Sequence, residues 1–301
     1  MKKLLGVGLA SLAVFLICLE IIVANIGLED INIFNILWLQ YFIALVGFLI
    51  MAQKIKFRWP KLKKNKYWII LSSILKLGNV YFFYKSLFYL FPDIVSVTSL
   101  SGDLFVIIGG VLFLREAFKW NQKFGLLIVL LGLGMYFYRT FNEFSEETLN
   151  IGLLYLVIAQ LCWAGYLLIQ KILISKEIPP CNLNFFTFLF VTIMLTPMVN
   201  FQGYSIFEIE TWILVAITGI ITLYTFTLIL KAFQYIDANK VSVILSANPF
   251  ITVILVYLYN LIGTEKIELS PFGLTEFLGG VILIGGIILS NWKFKDKKNP
   301  L

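Results

Sequence analysis

The chain contains no histidine at all. Imidazole metal sites and histidine proton relays are excluded before any motif is weighed. Cysteine is scarce: Cys18, Cys162 and Cys181 show no metal or redox spacing, and two of them sit inside apolar runs, where packing cysteines belong. Charge is thin too, with 14% of residues ionisable as Asp, Glu, Lys or Arg. There is no phosphate-binding glycine loop with its lysine, no nucleophile elbow and no cation-ligand cluster. Ser96 and Ser99 near Asp103 form the only grouping of a nucleophile beside a base. Neither an enzyme nor a resident cofactor or metal is therefore expected, and no catalytic residue is assigned.

What the chain has instead is apolar length. Sixty per cent of its 301 residues are hydrophobic, more than a soluble globular domain needs. Ten apolar stretches, each near the ~20 residues that cross a bilayer core, follow one another with short breaks. They run roughly over 4–26, 34–53, 67–90, 94–114, 124–141, 151–174, 184–200, 212–234, 240–261 and 271–292. Met1-Lys2-Lys3 before an apolar run resembles a secretory signal, but the run is too long, contains Glu20 and lacks a small-residue cleavage site, so it reads as the first span. With the N-terminus inside, eighteen of the 24 cationic residues fall on the inner side, among them Arg58, Lys61, Lys64 and Lys298. The outer loops carry only Arg139 and Lys266, and collect acidic residues such as Glu29, Asp93, Glu143 and Glu208. This asymmetry places both termini in the cytoplasm of a multi-pass protein of the bacterial inner (plasma) membrane. It also explains the net charge of +7 without nucleic acid, which is not an expected partner.

The sequence repeats itself. Tyr84-Lys85-Ser86-Leu87-Phe88-Tyr89 and Val95-Ser96-Val97 lie in register with Leu230-Lys231-Ala232-Phe233-Gln234-Tyr235 and Val241-Ser242-Val243. Gly8, Leu9, Leu12 and Cys18 match Gly152, Leu153, Leu156 and Cys162, while Gly125, Ile128 and Gly132 match Gly279, Ile282 and Gly286. Matches in the same order along three pairs of spans argue for duplication rather than chance among Leu/Ile/Val-rich segments. Five spans per half is an odd number, so the second half enters the membrane inverted. The expected fold is all-α integral membrane, ten transmembrane helices as two inverted five-helix repeats, residues 1–143 and 144–301.

These residues resemble the drug/metabolite transporter superfamily, of the ten-helix EamA type, over nearly the whole chain. The resemblance is carried by Ser86-Leu87 and Ala232-Phe233 late in the third span of each half, and by Pro249 in the ninth. Glu116 and Glu265, the glycines of the fifth and tenth spans, and Cys162-Trp163-Ala164 complete it. It implies a transporter of small polar metabolites that alternates between two bundles. Two departures stand out: Asp103 occupies the position that matches Pro249, and Gln40 stands where the family carries an arginine. The usual kink of the fourth helix is then expected to be missing.

Ionisable groups inside a bilayer cost several kcal/mol, so they face cavities or partners. Five qualify: Glu20, Lys76, Lys85, Asp103 and Lys231. Counted at about 1.5 Å per residue from the outer ends, Glu20 and Lys85 lie about 8–9 Å deep, Asp103 about 14 Å and Lys76 about 21 Å. Similar depths suggest the pairs Lys85–Glu20 and Lys76–Asp103. Lys76 shares a helix face with Ser72 and Asn79, and Asp103 shares one with Ser96 and Ser99, two polar stripes at comparable height. The expected substrate residues are Lys76, Asn79, Ser99, Asp103, Gln160, Trp163, Tyr224 and Asn248. Lys76 would meet a carboxylate and Asp103 an amine. Glu20, Lys85 and Lys231 are expected in gating or proton coupling. Thr218, Thr222 and Thr225 form a further stripe, and Pro249 frees the carbonyl near position 245.

The reading is a permease or exporter of a small polar metabolite, an amino acid or derivative first. The alternatives are an exchanger for a larger metabolite such as a nucleotide or S-adenosylmethionine, and a non-transporting membrane scaffold or sensor. The partners expected are the substrate and the lipid bilayer, with the protein a monomer or homodimer.

Overall fold

The computed structural model describes residues 2–25, 32–54, 58–87, 89, 92–116, 120–137, 146–262 and 274–291. Among these the chain is helical, with no strand. The elements are α1 (Lys2–Asn25), α2 (Ile33–Lys54), α3 (Trp59–Lys64), α4 (Lys66–Leu87), α5 (Pro92–Phe113), α6 (Trp120–Phe137), α7 (Glu146–Ser175), α8 (Pro180–Leu195), α9 (Ile209–Ala232), α10 (Ala238–Leu245), α11 (Asn248–Ile262) and α12 (Leu274–Asn291). Each of the ten apolar stretches is helical over most of its described residues. Among the described residues, five segments are long and apolar enough to cross a membrane: Lys2–Glu20, Ile33–Met51, Ile151–Ser175, Pro180–Met198 and Ile209–Ala232. Glu29, Arg139, Glu143, Glu265 and Lys266 lie outside the described residues.

The ninth stretch is divided, and proline chemistry gives the reason. Pro249 has no N–H to return to the carbonyl of Leu245, so the α-helical ladder cannot run through it. The chain tightens instead, with Ala247 N donating to Ile244 O at 3.1 Å, and α11 resumes with Ile251 N to Ala247 O at 3.1 Å. Its counterpart α5 carries Asp103 in place of the proline and runs as one helix from Pro92 to Phe113. The fourth span, expected to lack the usual kink, is not interrupted where α10 and α11 part in the ninth.

Helix packing follows the duplication. If α1, α2, α4, α5 and α6 are exchanged for α7, α8, α9, α10–α11 and α12, the most extensively packed pairs among the described residues map onto one another. The α4–α7 pair becomes α9–α1, α5–α7 becomes α10–α1 and α11–α1, and α2–α9 becomes α8–α4. The pairs α2–α8, α5–α10 and α6–α12 map onto themselves. Almost every extensive contact among the described residues joins one half to the other, so each half buries its apolar faces mainly against its counterpart. In the α6–α12 seam, a Cβ at Gly286 would lie 2.7 Å from both Gly125 O and Val129 N, an approach only glycine permits.

At the end that holds Lys61 and Lys176, α7 closes with a left-handed residue. Glu177 has φ 60°, with Glu177 N donating to Ile174 O at 2.8 Å and Ile178 N to Leu173 O at 3.4 Å, the Schellman pattern. A non-glycine residue sits there because its side chain is engaged: Lys61 Nζ lies 2.6 Å from Glu177 Oε2, and Arg58 Nη1 lies 3.9 Å away. The hydrogen bond from Lys61, then the two cationic charges, hold this carboxyl below its usual range.

Candidate functional site

Lys76 lies in the middle of α4 on the face that packs against α7 and α8, and is only 5% exposed. Its amine donates to Asn79 Oδ1 at 3.4 Å, one turn further along the same helix. Its remaining surroundings are aromatic. The Nζ atom lies 4.4 Å from the ring centre of Phe226, 5.0 Å from Trp163, 5.7 Å from Tyr166 and 5.9 Å from Tyr41. Three helices build this cage around the lysine of α4: α2 supplies Tyr41, α7 supplies Trp163 and Tyr166, and α9 supplies Phe226. The rings also brace one another, with Trp163–Tyr166 at 5.8 Å, Tyr166–Phe226 at 6.2 Å and Phe226 reaching Phe188 at 5.2 Å. Each desolvated cation–π contact contributes about 1–2 kcal/mol, which offsets much of the cost of burying an ammonium.

The anion in electrostatic range of Lys76 is Glu20 on α1. Its carboxylate is held from two sides: Gln40 Nε2 on α2 donates to Oε1, and Thr222 Oγ1 on α9 donates to the same oxygen at 3.0 Å. Gln40 Nε2 also donates to Thr222 Oγ1 at 2.6 Å, which closes the triad. Here the departure at position 40 acquires a consequence. An arginine there would neutralise Glu20 directly, whereas a neutral amide orients the carboxylate and leaves its charge to Lys76.

On the other side of Lys76, Asn79 Nδ2 donates to Ala159 O at 3.1 Å and Gln160 Nε2 to Ser99 Oγ at 3.2 Å, tying α4 and α5 to α7. Gly102 gives α5 its close approach, since a Cβ there would stand 3.1 Å from Trp163 Cδ1. Asp103, one residue on and 8% exposed, has neither hydrogen bond nor ion pair among the described residues. The expected Lys76–Asp103 pair is therefore replaced by Lys76 facing Glu20. Depth counted along straight helices gives height alone, and it omits both helix tilt and the reach of a lysine stem.

Five expected residues, Lys76, Asn79, Ser99, Gln160 and Trp163, share this group of contacts, and Asp103 lies on the Ser99 face of α5. Glu20 joins them, although it was expected at a gate. Four others are placed elsewhere. Tyr224 is 54% exposed on α9. Asn248 accepts from Cys18 Sγ at 3.1 Å and from Thr252 Oγ1 at 3.1 Å, and so joins α1 to α11. Lys85 is half-buried in the last turn of α4, and Lys231 is exposed in the last turn of α9. Sequence reasoning missed Tyr41 and Phe226. Phe226 lies one turn beyond Thr222 on the same face, a spacing that could have flagged it.

A second polar node adjoins the first along α4 and α7. Gln170 Nε2 donates to Ser72 Oγ at 3.3 Å and to Thr187 Oγ1 at 3.1 Å. Gln170 Oε1, Tyr166 Oη, Thr225 Oγ1 and both polar atoms of Asn184 are buried with no partner among the described residues. Such groups cost about 1–3 kcal/mol each when left dry, a cost that a polar ligand can offset.

At the far end of α5, Glu116 accepts from Ala238 N at 2.8 Å and Asn239 N at 3.1 Å, and so caps α10 from the other half. Lys171 Nζ donates to Phe233 O and Ile236 O, each at 2.6 Å, and fixes the same α9–α10 turn from α7.

Comparison with known proteins bears on what such a helical assembly is for. Residues 4–138 and 150–292 each match the EamA-like transporter family. An uncharacterized transporter of Haemophilus influenzae is 25% identical over 266 residues, 87% of each chain. The uncharacterized inner membrane transporter YhbE of Escherichia coli K12 is 26% identical over 303 residues, 96% of this chain and 92% of the relative. A solved crystal structure aligns with a TM-score of 0.73 at 15% identity over 96% of both chains, a likeness of fold. With the family matched twice and nearly from end to end, the chain belongs to the EamA-like transporter family and is a multi-pass membrane transporter.

Proposed function

We propose that the protein moves a small polar metabolite, an amino acid or derivative first, across the bacterial inner membrane by alternating access. In this reading its ten spans form two inverted repeats, residues 1–143 and 144–301, with both termini cytoplasmic. The observation that carries it is the pairing of opposite charges at one buried place: Lys76 in its aromatic cage and Glu20 held by Gln40 and Thr222. A zwitterion presents the complementary charges at a separation of a few ångströms. Buried charge without such a use would favour replacement by apolar residues. The self-mapping packing of the halves supports the two-repeat arrangement, since a site between equivalent bundles can open to either side. Asp103 supplies a second carboxylate beside the Gln160–Ser99 contact. The test is an uptake panel in proteoliposomes, amino acids against nucleotides and neutral sugars, with and without a pH gradient. Saturable uptake of one or more amino acids is expected. Uptake confined to nucleotides or sugars overturns the substrate class.

A further inference from the structure

The Lys76 amine is bound the way a ligand is bound. An ammonium has three N–H donors, yet among the described residues the amine makes one hydrogen bond, at 3.4 Å, and faces four rings at 4.4–5.9 Å. Tyr41, Trp163, Tyr166 and Phe226 come from three helices other than the lysine's own. Their geometry therefore belongs to the protein and not to the lysine. Ring faces with a carboxylate in range recognise charge and size rather than a pattern of donors, the chemistry of alkylammonium recognition. Two cations cannot share one cage, so a ligand's ammonium enters only as the lysine leaves. The lysine has somewhere to go. Ser72 lies one turn back on the same face of α4, and Gln170, hydrogen-bonded to it, has a buried Oε1 with no partner among the described residues. A four-carbon stem spans that shift by rotation about its own bonds.

We infer that the four-ring cage beside Glu20 is the subsite for the ammonium group of the transported molecule, and that Lys76 occupies it as a tethered substitute until that molecule displaces it. The inference rests on the reading of this place as the substrate site, and it adds what the cage selects and why a lysine stands in it. The empty transporter thereby keeps the cage charged and dry, and ligand binding exchanges one ammonium for another.

The experiment is isothermal titration of the purified full-length protein in detergent with n-butylammonium and, as an uncharged ligand of the same shape, n-butanol. Lys76→Ala should bind n-butylammonium at least tenfold more tightly than the wild type does, and at least tenfold more tightly than it binds n-butanol. Adding Phe226→Ala should remove most of that gain. Equal affinity for the amine and the alcohol means a plain apolar cavity, and no gain over wild type means a cage that does not take an external cation. Either result overturns the inference. If Lys76→Ala does not fold, Lys76→Met keeps the stem and vacates only the amine position, and methylammonium against methanol gives the same comparison. Absence of amino-acid uptake in proteoliposomes would fell the proposed substrate class and leave this titration standing. A failed titration beside normal uptake would fell the cage alone.

Discussion

Glu20 is held by an amide and a hydroxyl, and its charge is answered from a distance by Lys76. Glu20→Gln preserves shape and most of the hydrogen bonding, so the folded protein should persist. A neutral amide has no carboxyl proton to exchange, however, and the chain has no histidine to take over that task. We expect uptake driven by a pH gradient to lose its drive in Glu20→Gln while substrate exchange continues; uptake still driven by the gradient would show that the proton travels elsewhere. Asp103 is buried without an ion-pair partner among the described residues, and its amide isostere relieves rather than creates a burden. Asp103→Asn should keep or raise the melting temperature and lower uptake at least tenfold, and unchanged uptake would make Asp103 structural. At this scale the sequence disclosed which residues are costly, because Glu20, Lys76 and Asp103 are conspicuous in apolar surroundings. It did not disclose who faces whom. Partnership depends on the azimuth and tilt of α1, α4 and α5, which one chain's periodicity leaves free. Tyr41 was invisible for a different reason: in a chain 16% aromatic, one ring more carries no signal, and Phe226 was set apart only by its spacing from Thr222.

Among the helices, the sharpest dependence is that of α10 on Glu116. A carboxylate that accepts from two buried N–H groups replaces the missing turn of an eight-residue helix, and hydrogen bonds to a charge contribute about 1.5–3 kcal/mol each. Glu116→Ala should cost about 2–4 kcal/mol by thermal denaturation in detergent, and Glu116→Gln about half of that. The α6–α12 seam is equally specific. Gly286→Ala sets a methyl group against the backbone of Gly125 and Val129, and should cost about 1–3 kcal/mol and splay the two helices. A cysteine pair placed across that seam would then cross-link more slowly in Gly286→Ala than in the parent. Helix positions were readable because apolar runs of bilayer length leave little choice. The break between α10 and α11 was readable too, since Pro249 forbids one particular bond. The cap was not: Glu116 and Ala238 are far apart in sequence, and only the folded chain brings them together.

For the whole molecule, the charge asymmetry predicts orientation. Tags at both termini and within 54–66 should stay shielded from impermeant reagents in intact cells, and a tag at residue 145 should be labelled; opposite labelling of the two termini would rule out an even number of spans. The repeat was legible from matched residues in order, and the EamA-like family matches the chain twice, at 4–138 and 150–292. What could not be read is that the halves pack mainly on each other rather than on themselves. That arrangement has a consequence for biosynthesis. The helix that carries Lys76, α4, is not among the segments apolar enough to cross a membrane by composition alone, and its most extensive neighbour, α7, is translated some 60 residues later. Through that interval α4 must wait beside the translocation machinery or a chaperone, with Glu20 and Tyr41 already made but the rings of Trp163, Tyr166 and Phe226 still to come. Residues 1–143 made alone should therefore be degraded, and residues 144–301 supplied from a second plasmid should rescue them. The nascent chain is most exposed to quality control just before α7 arrives, and a pause in translation there would decide its yield more than any change to the finished protein.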